Sequence, residues 1–367
     1  MNDPRVENLA RIMVEHSTGV KKDDVCLIEG EMAAAPLLKA IFEQVVIAGG
    51  HPVTNVGLEE QNVTFLEHAS DEQLAWVAPP AKWAVEEADV RFAVMASINN
   101  RELSKIPPER QRARQIARQP LMKTMMERAA KDELRWSLTL FPTNAYASEA
   151  KMSLSAYEDF YYAACLATDD DPVGAWKRAS EETKRLADWI QGREEVHITG
   201  PGTDIKLNVA GRTFIAADGK HNMPDGEFFT GPHEDSAEGE ITFHLPATYA
   251  GREVSGVKFR FEGGKVVDAT AERGEEFLNE MLDSDEGARR LGELGIGTNF
   301  GITKGTGEIL LDEKIGGTVH LAVGASYPDT GGVNESAVHW DMICDLRQGG
   351  SIVVDGEELE KDGRFVV

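Results

Sequence analysis

The sequence predicts an α+β protein of two domains: an N-terminal α/β domain with a largely parallel sheet, and a C-terminal, mainly antiparallel β domain that carries a metal site. Three observations lead there. Short apolar runs alternate with helical segments as far as about Pro142. From Val196 onward the texture changes to short alternating strands with glycine-containing turns. And in a chain with 9 histidines, His320, Tyr327, His339 and Asp341 crowd into the stretch from Thr318 to Asp341. At 367 residues the chain exceeds what one core usually serves, which makes two domains the expectation. The boundary falls after the linking helices, giving an α/β domain over residues 1–192 and a β-rich, metal-binding catalytic domain over 193–367.

The elements follow in order. Val25-Cys26-Leu27-Ile28 reads as a buried strand. Ala33 to Ala48 then has helical periodicity through Leu37, Leu38, Ile41, Phe42 and Val45, and stops at Gly49-Gly50. Pro52 to Val56, Val90 to Met95 and Trp136 to Phe141 read as further strands. Strand, helix, strand in succession makes βαβ units and a parallel sheet. A second helical zone runs from about Leu154 to Ile190; its last segment opens on Asp171-Pro172, an N-cap followed by a first-turn proline, and it stops at Gly192. Beyond it, His197 to Thr199, Asp204 to Val209, Glu240 to Leu245, Val257 to Phe261 and Lys265 to Asp268 read as antiparallel strands. One amphipathic helix interrupts them, over about Glu275 to Arg290.

Composition narrows the function. Thirty-eight basic residues against 63 acidic ones give a formal net charge of -25, which repels phosphate backbones and anionic membrane surfaces, so no nucleic acid and no membrane are expected as partners. Met1 to Val20 lacks a basic region followed by an apolar one, and no run reaches the roughly 18 apolar residues of a membrane span. Cys26, Cys165 and Cys344 are far apart and odd in number, which fits reduced thiols and a cytoplasmic location. Neither GxGxxG nor GxxxxGK[ST] is present, so nucleotide binding has little support. Arg110, Arg112, Arg114 and Arg118 could hold an anion, but a solvated helix face paired with local acids is the plainer reading.

The chemistry lies in the second domain. Val319, Leu321 and Val323 alternate as one face of a strand, which turns His320 the other way. His339 and Asp341 are two apart, so on a strand they project from one side while Trp340 packs on the other. An imidazole beside a carboxylate suits zinc, cobalt, manganese or iron. Between them, Ser326 to Gly332 has the proline and paired glycines of a loop, which could swing the Tyr327 phenol over the site. Glu227 stands between a glycine and two phenylalanines, a poor place for a solvated acid. Glu293 shares its side of a strand with Gly295 and Gly297, which leave room for something to approach. Any one of these residues has an ordinary structural explanation; together they supply enough oxygen and nitrogen donors for two metal ions.

The segments Asn222 to Pro232, Leu291 to Asn299, and Asp312-Glu313-Lys314 through Asp341 resemble the motifs of the M29 family of metallo-aminopeptidases, the aminopeptidase T and aminopeptidase S group. The similarity extends over essentially the whole chain, including Gly30 to Gly50 and Phe141-Pro142-Thr143. Position by position, the resemblance implies metal ligands at Glu227, Glu293, Glu313, His320, His339 and Asp341, with Glu293 bridging two ions, and an active-site tyrosine at Tyr327. It implies two divalent ions per chain (zinc, cobalt, manganese or magnesium), hydrolysis of the N-terminal bond of peptides with a free N-terminus, and a homodimer. Tyr327 and Glu293 are then the catalytic candidates, Tyr327 as oxyanion donor and Glu293 as one of several carboxylates able to take the water proton.

A second reading uses the same residues differently. His320, His339 and Asp341 alone make a two-histidine, one-carboxylate set of the kind that holds one non-haem iron, and ring-cleaving dioxygenases of dihydroxypyridines share the scaffold. A one-iron site has no need of both Glu227 and Glu293, and both are present.

Overall fold

In the computed structural model, which describes residues 3–58, 60–249 and 251–367, the chain divides into two compact units. One comprises Met1–Trp176 with Gly219–Met223, the other Lys177–Asp218 with Pro224–Val367.

The first unit is built on a parallel sheet of five strands in the order His51–Gly57, Val25–Glu31, Val90–Met95, Arg135–Leu140, Asn222–Met223. Cys26, Leu27 and Ile28 are buried in the Val25–Glu31 strand, as a near-continuous apolar run covered on both faces should be. The helix Ala35–Ala48 buries Leu37, Leu38, Ile41 and Val45, and ends where Gly49 turns left-handed at φ 88°. Two of the arginines on the helix Pro108–Ala129 are bound to backbone carbonyls. Arg110 donates to the carbonyls of Leu66 and Ala69, and Arg114 to those of Leu74 and Trp76, so both guanidinium groups close the ends of the helices Gln61–His68 and Asp71–Ala75.

The second unit contains two larger antiparallel sheets. The eight-stranded one runs Lys265–Thr270, Lys258–Glu262, Glu238–Thr242, Thr203–Asn208, Glu195–Gly200, Ser351–Val354, Glu357–Lys361, Arg364–Phe365. The five-stranded one runs His339–Asp345, Thr318–Gly324, Leu291–Gly297, Glu227–Thr230, Ile215–Ala217. Ile198, Ile205 and Phe259 of the first sheet share one buried core with Leu294, Ile296, Val319, Leu321 and Met342 of the second. Each such side chain contributes about 1.5–3 kcal/mol when fully buried. That apolar face fixes the register, because a slip of one residue would exchange it with the polar face.

The amphipathic helix is shorter than the pattern suggests, Glu275–Leu282 rather than a run to Arg290. Asp285 ends it: its carboxylate accepts from the backbone of Gly287, Ala288 and Ala337 and from the Ser336 hydroxyl, which commits the following residues to a turn. Gly287 approaches the Glu335 carbonyl so closely that a Cβ there would collide with it. All three cysteines are free and buried. Among the described residues no helix is long and apolar enough to cross a membrane.

Candidate metal centre

One face of the five-stranded sheet assembles the site, and cross-strand pairing explains how. Gly297 lies opposite Glu227, Gly295 opposite His320, Ala322 opposite both Glu293 and Asp341, and Gly324 opposite His339. Each of these five side chains thus has a glycine or alanine opposite it on a neighbouring strand, which clears a basin that larger residues would fill. The clearance is tight. A Cβ on Gly295 would strike the His320 ring, and one on Gly297 would strike the Ile315 carbonyl. A register shift between Leu291 and Glu293 places Glu293 across from Ala322.

All six candidate ligands converge in this basin. Donor atoms of Glu227, Glu293 and His320 lie within 4.8 Å of one another, as do those of Glu293, His339 and Asp341, and those of Glu313, His320 and Asp341. Glu293 stands in the middle: one oxygen is 3.4 Å from His320 Nε2 and the other 3.4 Å from His339 Nε2. His320 Nε2 is also 3.3 Å from Glu227 Oε2, and His339 Nε2 3.6 Å from Asp341 Oδ2. Glu313 arrives from outside the sheet, immediately after the short helix Ile309–Asp312. Asp312 holds that turn by accepting from Thr306 and Gly307 backbone groups and the Thr306 hydroxyl.

The donor set fits a divalent cation. It offers four carboxylates and two imidazoles and no thiolate, the nearest cysteine in sequence, Cys344, being buried in the core. Glu227 Oε2 and His320 Nδ1 are buried without a hydrogen bond, a cost that a cation on the cluster would offset. The His339 Nδ1–H donates to the Ala325 carbonyl at 2.8 Å, which orients Nε2 toward Glu293 and Asp341, the outer contact expected of a ligating histidine. Burial alone would raise the carboxylates and lower the histidines, yet the mutual attraction wins for three of them. Against burial, the histidines draw Glu293 down to about 2, while the carboxylates raise His320 to about 10 and His339 to about 11. Glu227 goes the other way, to about 8, because burial outweighs Lys314 and His320.

Tyr327 flanks this basin, its ring centroid 5.1 Å from that of His339 and 5.7 Å from that of Phe229. Its loop is tied down. Thr330 Oγ1 donates to the Tyr327 carbonyl, Thr213 N to the Thr330 carbonyl, and Asn334 Nδ2 to the Gly324 and Gly287 carbonyls. A cavity of about 310 Å³ opens beside His339 and Asp341, walled by Thr248, Tyr249, Glu308 and Trp340.

Lys314 is what sequence reasoning missed. It is fully buried, and its ammonium lies 3.5 Å from Glu227 Oε1 and pairs with Glu313. In the sequence it sits beside Glu313 and two residues before Gly316-Gly317, a context indistinguishable from an exposed turn.

The thermophilic metalloprotease family (M29) matches residues 2–365. Aminopeptidase T of Thermus aquaticus is 30% identical over 81% of this chain and 79% of its own length. Aminopeptidase T of Thermus thermophilus is 27% identical over 98% and 95%. Among solved structures, wild-type AmpT from Thermus thermophilus superposes with a TM-score of 0.85 at 26% identity over 99% of both chains. The 2,5-dihydroxypyridine dioxygenase of Pseudomonas putida KT2440 shares the fold, with a TM-score of 0.58 at 14% identity over 99% of this chain and 97% of its own.

Proposed function

The chain belongs to the thermophilic metalloprotease family M29, a family of divalent-metal hydrolases, and on that premise we propose that it is a metal-dependent aminopeptidase releasing the N-terminal residue of peptides. The observation that carries this reading is the central position of Glu293, with one carboxylate oxygen toward each histidine and the other donors arranged around it. Such a set suits two ions, drawn from zinc, cobalt, manganese and magnesium, held by Glu227, Glu293, Glu313, His320, His339 and Asp341. A divalent ion, when bound, polarises the scissile carbonyl and makes water a nucleophile at neutral pH.

The protein's own groups supply the rest. The Tyr327 phenol, half exposed at the rim, donates to the oxygen on which negative charge develops. Glu293 is one of several carboxylates of the cluster able to take the proton of the attacking water. The cavity beside His339 and Asp341 admits the substrate's first residue, and the surrounding carboxylates attract a charged α-amine. The catalytic part is the β-rich unit of Lys177–Asp218 with Pro224–Val367, which carries all six donors, and the working state is a cytoplasmic homodimer.

The test is direct. Peptides with a free N-terminus should lose their first residue, activity should vanish with a chelator, and zinc or cobalt should restore it. Equal cleavage of N-acetylated peptides would rule out recognition of the amine. The dioxygenase likeness extends to the fold alone, and two buried glutamates at the centre, Glu227 and Glu293, exceed what one iron requires.

A further inference from the structure

Lys314 lies against only part of the donor set. Its Nζ is 3.5 Å from Glu227 Oε1 and pairs with the Glu313 carboxylate. Among the described residues no lysine or arginine pairs with Glu293 or Asp341; their ion-pair partners are His320 and His339. The ammonium is fixed. Its residue is fully buried, the Lys314 N–H donates to the Leu311 carbonyl, and the Lys314 carbonyl accepts from Asn299 N. Gly297 packs directly against the Lys314–Ile315 backbone, leaving that segment no room to withdraw. A buried ammonium paired with Glu227 and Glu313, and with the buried Asp225 carboxylate also attracting it, has no cheaper place to go.

A permanent cation at this spot acts on metals in one direction. It occupies Glu227 Oε1 and part of Glu313, and it repels any second cation drawn to the same carboxylates through a low-dielectric interior.

We propose that Lys314 makes the two metal positions unequal: a tight one on His339 and Asp341, and a weaker, exchangeable one on Glu227, Glu313 and His320, with Glu293 between them facing both histidines. This rests on the two-ion reading of the site. The consequence is that the enzyme's occupancy, and hence its activity, follows the free divalent-metal concentration through the Lys314 half alone.

Titration of metal-free protein with zinc or cobalt, followed by calorimetry and by elemental analysis after dialysis, tests this without reference to turnover. Wild type should bind in two steps at least tenfold apart. Lys314→Met, of similar length and without charge, should narrow the gap at least tenfold by tightening the weaker step, an effect of the size that groups around metal ligands commonly have. His339→Ala should remove the tight step and keep the weak one, which tests the assignment even if Lys314→Met does not fold. Equal steps in wild type, an unchanged gap in Lys314→Met, or loss of the weak step in His339→Ala would each overturn the proposal. One ion per chain in wild type and two in Lys314→Met would support it; one ion in both proteins would instead defeat the two-ion reading beneath it.

Discussion

The two antiparallel sheets of the second unit both bury carboxylates, and they tolerate them by opposite means. In the eight-stranded sheet, Glu360 is fully buried and neither of its oxygens has a hydrogen-bond partner. Burial, with Asp345 adding to it, pushes that acid up to about 8, so it is kept as a neutral group. In the five-stranded sheet, Glu293 is nearly as buried, yet two imidazoles hold it ionised. A buried acid alone therefore marks nothing. Glycines and alanines opposite the acids, together with imidazoles on the neighbouring strands, distinguish a basin built for a cation from an isolated acid closed into a core.

Substitutions can break this contrast at either end. The largest effect belongs to Glu293→Gln, which removes the charge both histidines share: hydrolysis should fall to background and the metal content should drop, as elemental analysis would reveal. Retention of full activity would remove Glu293 from the centre of the account. Tyr327→Phe comes next. It should lower kcat by about 10²–10³-fold with metal content unchanged, the usual loss for one oxyanion donor. Gly295→Ala pushes a methyl into the His320 ring and should weaken metal binding by about 10–100-fold, measurable by competition with a chromogenic chelator.

Glu360→Gln is the smallest in function and informative in stability. The folded acid titrates at about 8 against an ordinary 4.5, so its stabilising contribution is complete below pH 4.5 and is lost as pH rises toward 8, levelling off above. The amide should leave activity unchanged, be neutral near pH 4, and at pH 8 to 9 be the more stable protein, with a higher melting temperature, by on the order of 5 kcal/mol at most. A destabilised amide at high pH would mean that Glu360 is ionised and paired in the native protein.

Much of the fold was legible because it rests on local periodicity. The alternation around His320, the i, i+2 spacing of His339 and Asp341, and the helix stopped by Gly49 are properties of a few consecutive residues. Which strands become neighbours is not local. That Gly295 would lie under His320, or Gly297 against the Ile315 carbonyl, depends on a register between segments far apart in the chain, so the glycines could be read only as room for something. The early end of the helix at Leu282 depends likewise on Asp285 reaching Ser336 and Ala337. Lys314 was the least visible of all, since a lysine next to a glutamate in a glycine-containing turn looks solvated, and only the packing against Gly297 and Glu227 buries it.

The claim at the centre is that this basin holds two divalent ions and performs hydrolysis. Calorimetric titration of metal-free protein to saturation counts the ions most directly, with peptide cleavage assayed on the saturated sample. Two ions per chain, with release of N-terminal residues, is the result expected; a single iron per chain without peptide cleavage would contradict it.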